Sequence, residues 1–255
     1  MMSQDTLILV AILLSAAFIP SLVYMVWIRN TERFGRVSWV NMFKMFTWGA
    51  VIAVIMALLL SWIFIYVLQT DALQREYEAL QDRTVMTLVI VCVVAPLVEE
   101  FTKMVGLYKI KDSIIELEDG LILGAGSGLG FAATENLLYE SNALFTHGVQ
   151  VFIMVVILRS VASTLLHGSA SAVAGYGVSK SLLNGGFAVV PYYFVAVLMH
   201  GAFNYLASVG LLYDGNIPLF ALIAALVFSV TAFKLIRQKI TELDDDSAYF
   251  RRKIG

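Results

Sequence analysis

Seven apolar runs, each long enough to cross a bilayer as a helix, succeed one another along this chain at about residues 6–28, 40–68, 84–108, 120–139, 149–178, 187–212 and 216–236. A helix rises about 1.5 Å per residue, so roughly 20 residues traverse the hydrocarbon core. No water reaches an open backbone there, and each run is therefore read as a helix that satisfies its own N–H and C=O groups. With 60% of residues hydrophobic and 14% charged, too little polar material remains to coat seven such helices in water. The expected fold is an all-α polytopic membrane protein, one transmembrane domain over residues 1–255. Its polar motifs concentrate in about 84–212, and 237–255 forms a cytoplasmic tail.

The basic residues orient it. Thirteen of the 17 Lys and Arg lie on the side holding the first, third and fifth loops and the C-terminus, against Arg75 and Arg83 on the other; Lys103 and Arg159 fall inside spans. The positive-inside rule then places the N-terminus outside and the C-terminus in the cytoplasm, as an odd span count requires. The expected location is the cell membrane, multi-pass. The leader Met-Met-Ser-Gln-Asp carries no basic residue and the first run is too long for a cleaved signal peptide, so that run is expected to stay as a span.

Cys92 is the single cysteine, which excludes an intrachain disulfide and a multi-cysteine metal site. A pI near 5.9, with no basic cluster beyond those loops, gives no reason to expect nucleic acid as a partner. The outer loop at about 69–83 contains a segment that reads as a short amphipathic surface helix. The acidic Asp244-Asp245-Asp246 followed by Arg251-Arg252-Lys253 reads as a solvated, partly disordered end.

Against this background the ionisable residues within spans stand out: Glu99, Glu100, Lys103, Glu135 and Arg159, with His167 and His200. A charge in the bilayer core costs about 2.5–3.5 kcal/mol even on lenient scales, which makes such a group a functional-site hypothesis by default. Counted from the cytoplasmic ends, Glu100 lies about 13 Å deep, His167 about 17 Å, His200 about 20 Å and Glu135 about 23 Å. All four fall in one middle slab. Helical spacing adds to the convergence, since residues three, four or seven apart share a face. Glu99 pairs with Lys103, His200 with Asn204 and Phe131 with Glu135, beside Asn136, while Ser160, Ser163, Thr164, His167 and Ser171 form a polar stripe expected to wall a wet cavity. Lys103 and Arg159 also read as simple counter-charges, Asn204 as a helix-to-helix hydrogen bond and His147 as a solvated loop residue.

The fourth run reads Gly124-Ala-Gly126-Ser-Gly128-Leu-Gly130, two overlapping Gly-x-x-x-Gly pairs that let helix backbones approach closely. No strand precedes it and no Lys-Ser/Thr follows, so a nucleotide loop is not the reading.

Glutamates and imidazoles around a water-accessible pocket can activate water for hydrolysis in two ways. One glutamate acts as general base while histidine and asparagine stabilise the oxyanion. Alternatively, His167, His200 and Glu135 hold a catalytic zinc with water in the fourth position, although the H-E-x-x-H spacing is absent.

Glu99-Glu100-x-x-Lys103, then Asp119-Gly120 opening the glycine run, Phe131-Ala-Ala-Thr-Glu135-Asn136, His167, and His200-Gly-x-x-Asn204, in that order on consecutive spans, resemble the PrsW family of intramembrane proteases, within the superfamily of type II CAAX prenyl endopeptidases. The resemblance covers about residues 95–206. It implies a membrane hydrolase of about eight helices, one more than the seven runs counted here, that cuts a peptide bond of a membrane-anchored protein within or next to the bilayer, as a site-1-type protease acting on a substrate such as an anti-sigma factor. Carried over by position, Glu99 and Glu100 supply the base, Glu99 being favoured by the relatives' use of the first glutamate, and His167 and His200 act as oxyanion donors or metal ligands. Those relatives have F-x-x-x-H where this chain has Phe131-x-x-x-Glu135, so Glu135 is open as a ligand, a second carboxylate or a structural partner.

Two other readings compete. A non-catalytic scaffold would keep the buried histidines without cutting anything, as a multi-span subunit of the gamma-secretase complex in the same superfamily does. A proton-coupled transporter would use the glutamates as a relay, but no inverted repeat or paired broken helix accompanies them.

Overall fold

The computed structural model describes residues 4–254, with side chains from 6 to 246. It is helical, and seven helical stretches are long and apolar enough to cross a membrane: Thr6–Arg29, Trp39–Leu68, Arg83–Lys109, Leu117–His147, Val149–Asn184, Val189–Ala207 and Ile217–Asp246, here spans one to seven. The protein is thus a multi-pass membrane protein. The loop between spans two and three folds into a helix at Asp71–Glu76 and a 3-10 turn at Glu78–Gln81.

Span four is the axis of the bundle. In its most apolar window 78% of residues are buried, against 17–33% for the other spans, and it packs chiefly on spans five, two and one. The glycine run explains how one helix can be surrounded so closely. Residues two apart on a helix point about 200° apart, so the two Gly-x-x-x-Gly pairs serve opposite neighbours. A Cβ on Gly124 or Gly128 would collide with the carbonyls of Ser171 and His167 on span five, whereas Gly126 and Gly130 face Met42, Met45 and Phe46 on span two.

Spans two, three and five each contain a π-helical turn, at Trp48–Ala53, Ile90–Val94 and Arg159–Ser163. Such turns loosen the backbone ladder and need outside donors. Spans two and three each have one, Thr134 Oγ1 donating to Ala50 O at 2.7 Å and Asn204 Nδ2 to Val91 O at 2.9 Å; in span five the donor is local, Thr164 Oγ1 of the same helix to Arg159 O at 2.9 Å. In span three the cause is local, because Pro96 has no N–H for the carbonyl one turn earlier.

The C-terminal segment departs from the expected solvated end. Its helix runs from Ile217 to Ile254, and Asp244 is buried, accepting from the backbone N–H of Arg33 at 2.7 Å and of Phe34 at 3.1 Å. The acidic run was legible only as charge, whereas the loop after span one supplies N–H donors that nothing nearby in sequence reveals. The side chains of Arg251, Arg252 and Lys253 lie outside the described residues, as does the start of the leader.

Candidate active site

Span three brings Glu99, Glu100 and Lys103 to the centre of the bundle. Lys103 and Glu100 are fully buried, which requires that both be paired. Lys103 Nζ spends its three donors on Glu100 Oε1 at 2.8 Å, His167 Nδ1 at 2.8 Å and Glu99 Oε2 at 3.4 Å, and it lies 4.1 Å over the Phe131 ring. The tighter of its two glutamate pairs is therefore with Glu100, not with the i,i+4 partner Glu99 that spacing singled out.

The two glutamates differ sharply in how far they are committed. Glu100 Oε1 accepts from both Lys103 and His200 Nδ1, the latter at 2.9 Å, and Oε2 accepts from Ser171 Oγ at 2.8 Å. Among the described residues the Glu99 side chain has only Lys103 within hydrogen-bonding range, with His200 Nε2 at 3.9 Å and 13% of its side chain exposed.

Chemistry fixes the imidazole tautomers. An ammonium can only donate, so His167 Nδ1 is the acceptor and its Nε2–H donates to Glu135 Oε2 at 2.8 Å. A carboxylate can only accept, so His200 Nδ1–H donates to Glu100, and in the neutral ring Nε2 carries the lone pair. Each ring thus has one nitrogen anchored to a carboxylate and the other an acceptor, that of His167 already taken by Lys103, and the two rings sit edge to face at 4.7 Å.

Glu135 is held in turn. Arg159 Nη2 donates to its Oε2 at 2.8 Å and Arg159 Nε to Asn136 Oδ1 at 2.9 Å, while Asn136 Nδ2 donates to Thr164 Oγ1 at 2.9 Å. Tyr139 lies under the guanidinium at 4.0 Å.

The structure therefore brings together Glu99, Glu100, Lys103, Glu135, Asn136, His167 and His200. Asn204 stays outside, bonded to the π-helical turn of span three, as its alternative reading had it. The stripe on span five is not an open wet wall: Ser163, Thr164, His167 and Ser171 are buried, with Thr164, His167 and Ser171 holding partners across the bundle. Sequence reasoning missed Tyr139, which spacing could have found, since it lies four residues from Glu135. It also missed Ser171 as the donor to Glu100.

Among the described residues, the group able to hold a metal ion is Glu99, His167 and His200, each offering one ligand atom within 4.8 Å of the others. Glu135, expected beside the two histidines as third ligand, instead engages Arg159 and His167 Nε2. Two imidazoles and a carboxylate, with the far nitrogen of each ring bonded to a second carboxylate, are the donor set and outer support of a catalytic metal site. The Lys103 ammonium bonds to two of these three ligands, so the set is already arranged around a positive charge.

A family model described as PrsW family intramembrane metalloprotease matches residues 37–233, which contain every residue of this cluster. The chain is 30% identical over 201 residues to Protease PrsW of Clostridioides difficile (strain 630), covering 76% of this chain and 78% of that protein. No solved structure matches it.

Proposed function

The chain belongs to the PrsW family of intramembrane proteases, and on that premise we propose that it is a metal-dependent endopeptidase built on Glu99, His167 and His200. The observation that carries this reading is the pair of anchored imidazoles. Neither presents a spare N–H for an oxyanion, because His167 Nε2–H is taken by Glu135 and His200 Nδ1–H by Glu100; the other two nitrogens are acceptors, His167 Nδ1 bonded to the Lys103 ammonium at 2.8 Å and His200 Nε2 lying 3.9 Å from Glu99 Oε2. A metal ion held there supplies a Lewis acid and lowers the pKa of bound water.

The chain's own groups do the rest. Glu99, the less committed glutamate, would offer one carboxylate oxygen to the metal and leave the other as the base that takes the proton of the attacking water and returns it to the leaving nitrogen. Glu100 and Glu135 fix the two rings, and Arg159 holds Glu135. Lys103 supplies the counter-charge to the glutamate pair. Access is from the edge where Glu99, Glu135 and Arg159 keep 13%, 21% and 19% of their side chains exposed.

The substrate in this reading is a membrane-anchored protein cut within or beside the bilayer, an anti-sigma factor being the first to try, with the protease in the cell membrane, N-terminus outside. The test is cleavage of a single-span reporter by the purified protein, with metal content measured on the same sample. Activity lost on chelation, regained with zinc, and absent in Glu99→Gln, His167→Ala and His200→Ala is expected. Full activity in a metal-free sample overturns the metal, and normal cutting by all three variants overturns the site.

A further inference from the structure

Where span two enters the membrane and span three leaves it, a groove of about 720 Å³ opens on the outside of the bundle, lined by Trp39, Phe43, Lys44, Trp48, Gly106 and Lys109 among others. Its floor exists because residue 106 is a glycine. The Trp48 indole lies across that position, where a Cβ would come within 2.5 Å of Cδ1, and Trp48 Nε1 donates to Thr102 O at 3.0 Å. The indole's polar atom is thus satisfied by the protein, and the walls of Val40, Phe43 and Ile52 ask for nothing polar.

The mouth is different. Lys109 is the last residue of span three and Lys44 lies about 7.5 Å along span two from Trp39, within reach of the interface for a snorkelling stem. Both are exposed, and among the described residues neither forms an ion pair. The Arg29 guanidinium adds a third cation, 4.3 Å over the Trp39 ring. Three positive charges above an apolar trough, on the basic-rich side of the molecule, complement an anionic headgroup above an acyl chain. That side is where anionic lipids attract juxtamembrane Lys and Arg.

We propose that this groove binds one anionic phospholipid, its phosphate between Lys44 and Lys109 and one acyl chain along Phe43, Trp48 and Ile52. The site is independent of the proteolytic reading. Through Trp48 the lipid touches the helix that carries Glu99, Glu100 and Lys103, because Thr102 directly precedes Lys103.

Native mass spectrometry of the full chain in detergent tests this, with dioleoyl phosphatidylglycerol and dioleoyl phosphatidylcholine as probes. Retention of one phosphatidylglycerol at least tenfold better than phosphatidylcholine is expected. The double variant Lys44→Gln/Lys109→Gln should lose that preference at an unchanged lipid-free melting temperature, and Thr47→Trp, which fills the groove, should lose both lipids. Equal retention of the two lipids by the unaltered protein, or an intact preference in the double variant, overturns the site. Stabilisation by inorganic phosphate equal to that by phosphatidylglycerol also overturns it, since no chain would then be needed. So does displacement of the lipid by a single-span substrate peptide, which would make the groove a substrate site.

Discussion

His200 Nδ1 and Glu100 Oε1 lie 2.9 Å apart, and the same carboxylate oxygen accepts from the Lys103 ammonium at 2.8 Å. With Ser171 on the other oxygen, Glu100 has little left to offer a substrate, whereas Glu99 next to it has one oxygen in contact with Lys103 and an exposed edge. In the proposed mechanism the two adjacent glutamates therefore divide into a group that orients and a group that faces the reaction, and they should separate experimentally.

Glu100→Gln removes the tighter counter-charge of a fully buried ammonium, and breaking such a pair costs about 3–5 kcal/mol. Glu99→Gln leaves that pair intact. Expected outcomes are a marked fall in melting temperature for the first variant, and for the second a near-normal melting temperature with cleavage reduced at least about 100-fold. Thermal unfolding in detergent and reporter cleavage, run on both, check this.

Arg159 acts on His167 through Glu135, and its fork reaches Glu135 and Asn136 together. Lysine keeps the charge but not the fork. Arg159→Lys is expected to lower metal affinity or activity by about 10- to 100-fold, as loss of an outer partner does, and zinc titration alongside cleavage kinetics measures it.

Gly128 and Gly126 look alike in sequence and differ in space. A Cβ on Gly128 would fall on the His167 carbonyl, whereas one on Gly126 comes no closer than 3.4 Å to the flexible end of Met42. Gly128→Ala should destabilise by about 1–3 kcal/mol through overpacking and displace His167, lowering activity. Gly126→Ala should be close to neutral in both melting temperature and cleavage.

Glu32, in the loop between spans one and two, is buried and its carboxyl is pushed up to about 7, by burial first and then by the nearby carboxylates of Asp119, Asp244 and Glu118, against the opposing hydrogen bond from Val37 N. Folded protein therefore holds a proton that the unfolded chain releases from about pH 4.5 upward. The stabilisation is complete below the unfolded value and is lost as pH rises through about 7. Unfolding measured from about pH 5 to pH 8 should show stability falling with pH, and Glu32→Gln should flatten that slope.

Span number, the order of the motifs and the grouping of the ionisable residues were legible in the chain because hydrophobic length and helical spacing are local properties. The glycine run was legible as a packing seam, but not that it serves two neighbours at once. Asp244 read as solvated because its donors, Arg33 N and Phe34 N, are more than two hundred residues away. Asn204 shares a helical face with His200, yet its amide goes to a carbonyl of span three, freed at a turn that spacing does not reveal.

The sequence by itself determined that a polytopic helical bundle would bury carboxylates, imidazoles and a lysine at one depth, since hydrocarbon forces helices and makes isolated charge costly. Only the tertiary structure decided which oxygen meets which nitrogen. Glu99, rather than Glu135, joins the histidines as the third potential metal ligand, and Glu100 becomes the anchored partner. The reason is that hydrogen bonds and ion pairs act over a few ångströms between different helices, and helical periodicity fixes a residue's face but not the rotation of the helix opposite it.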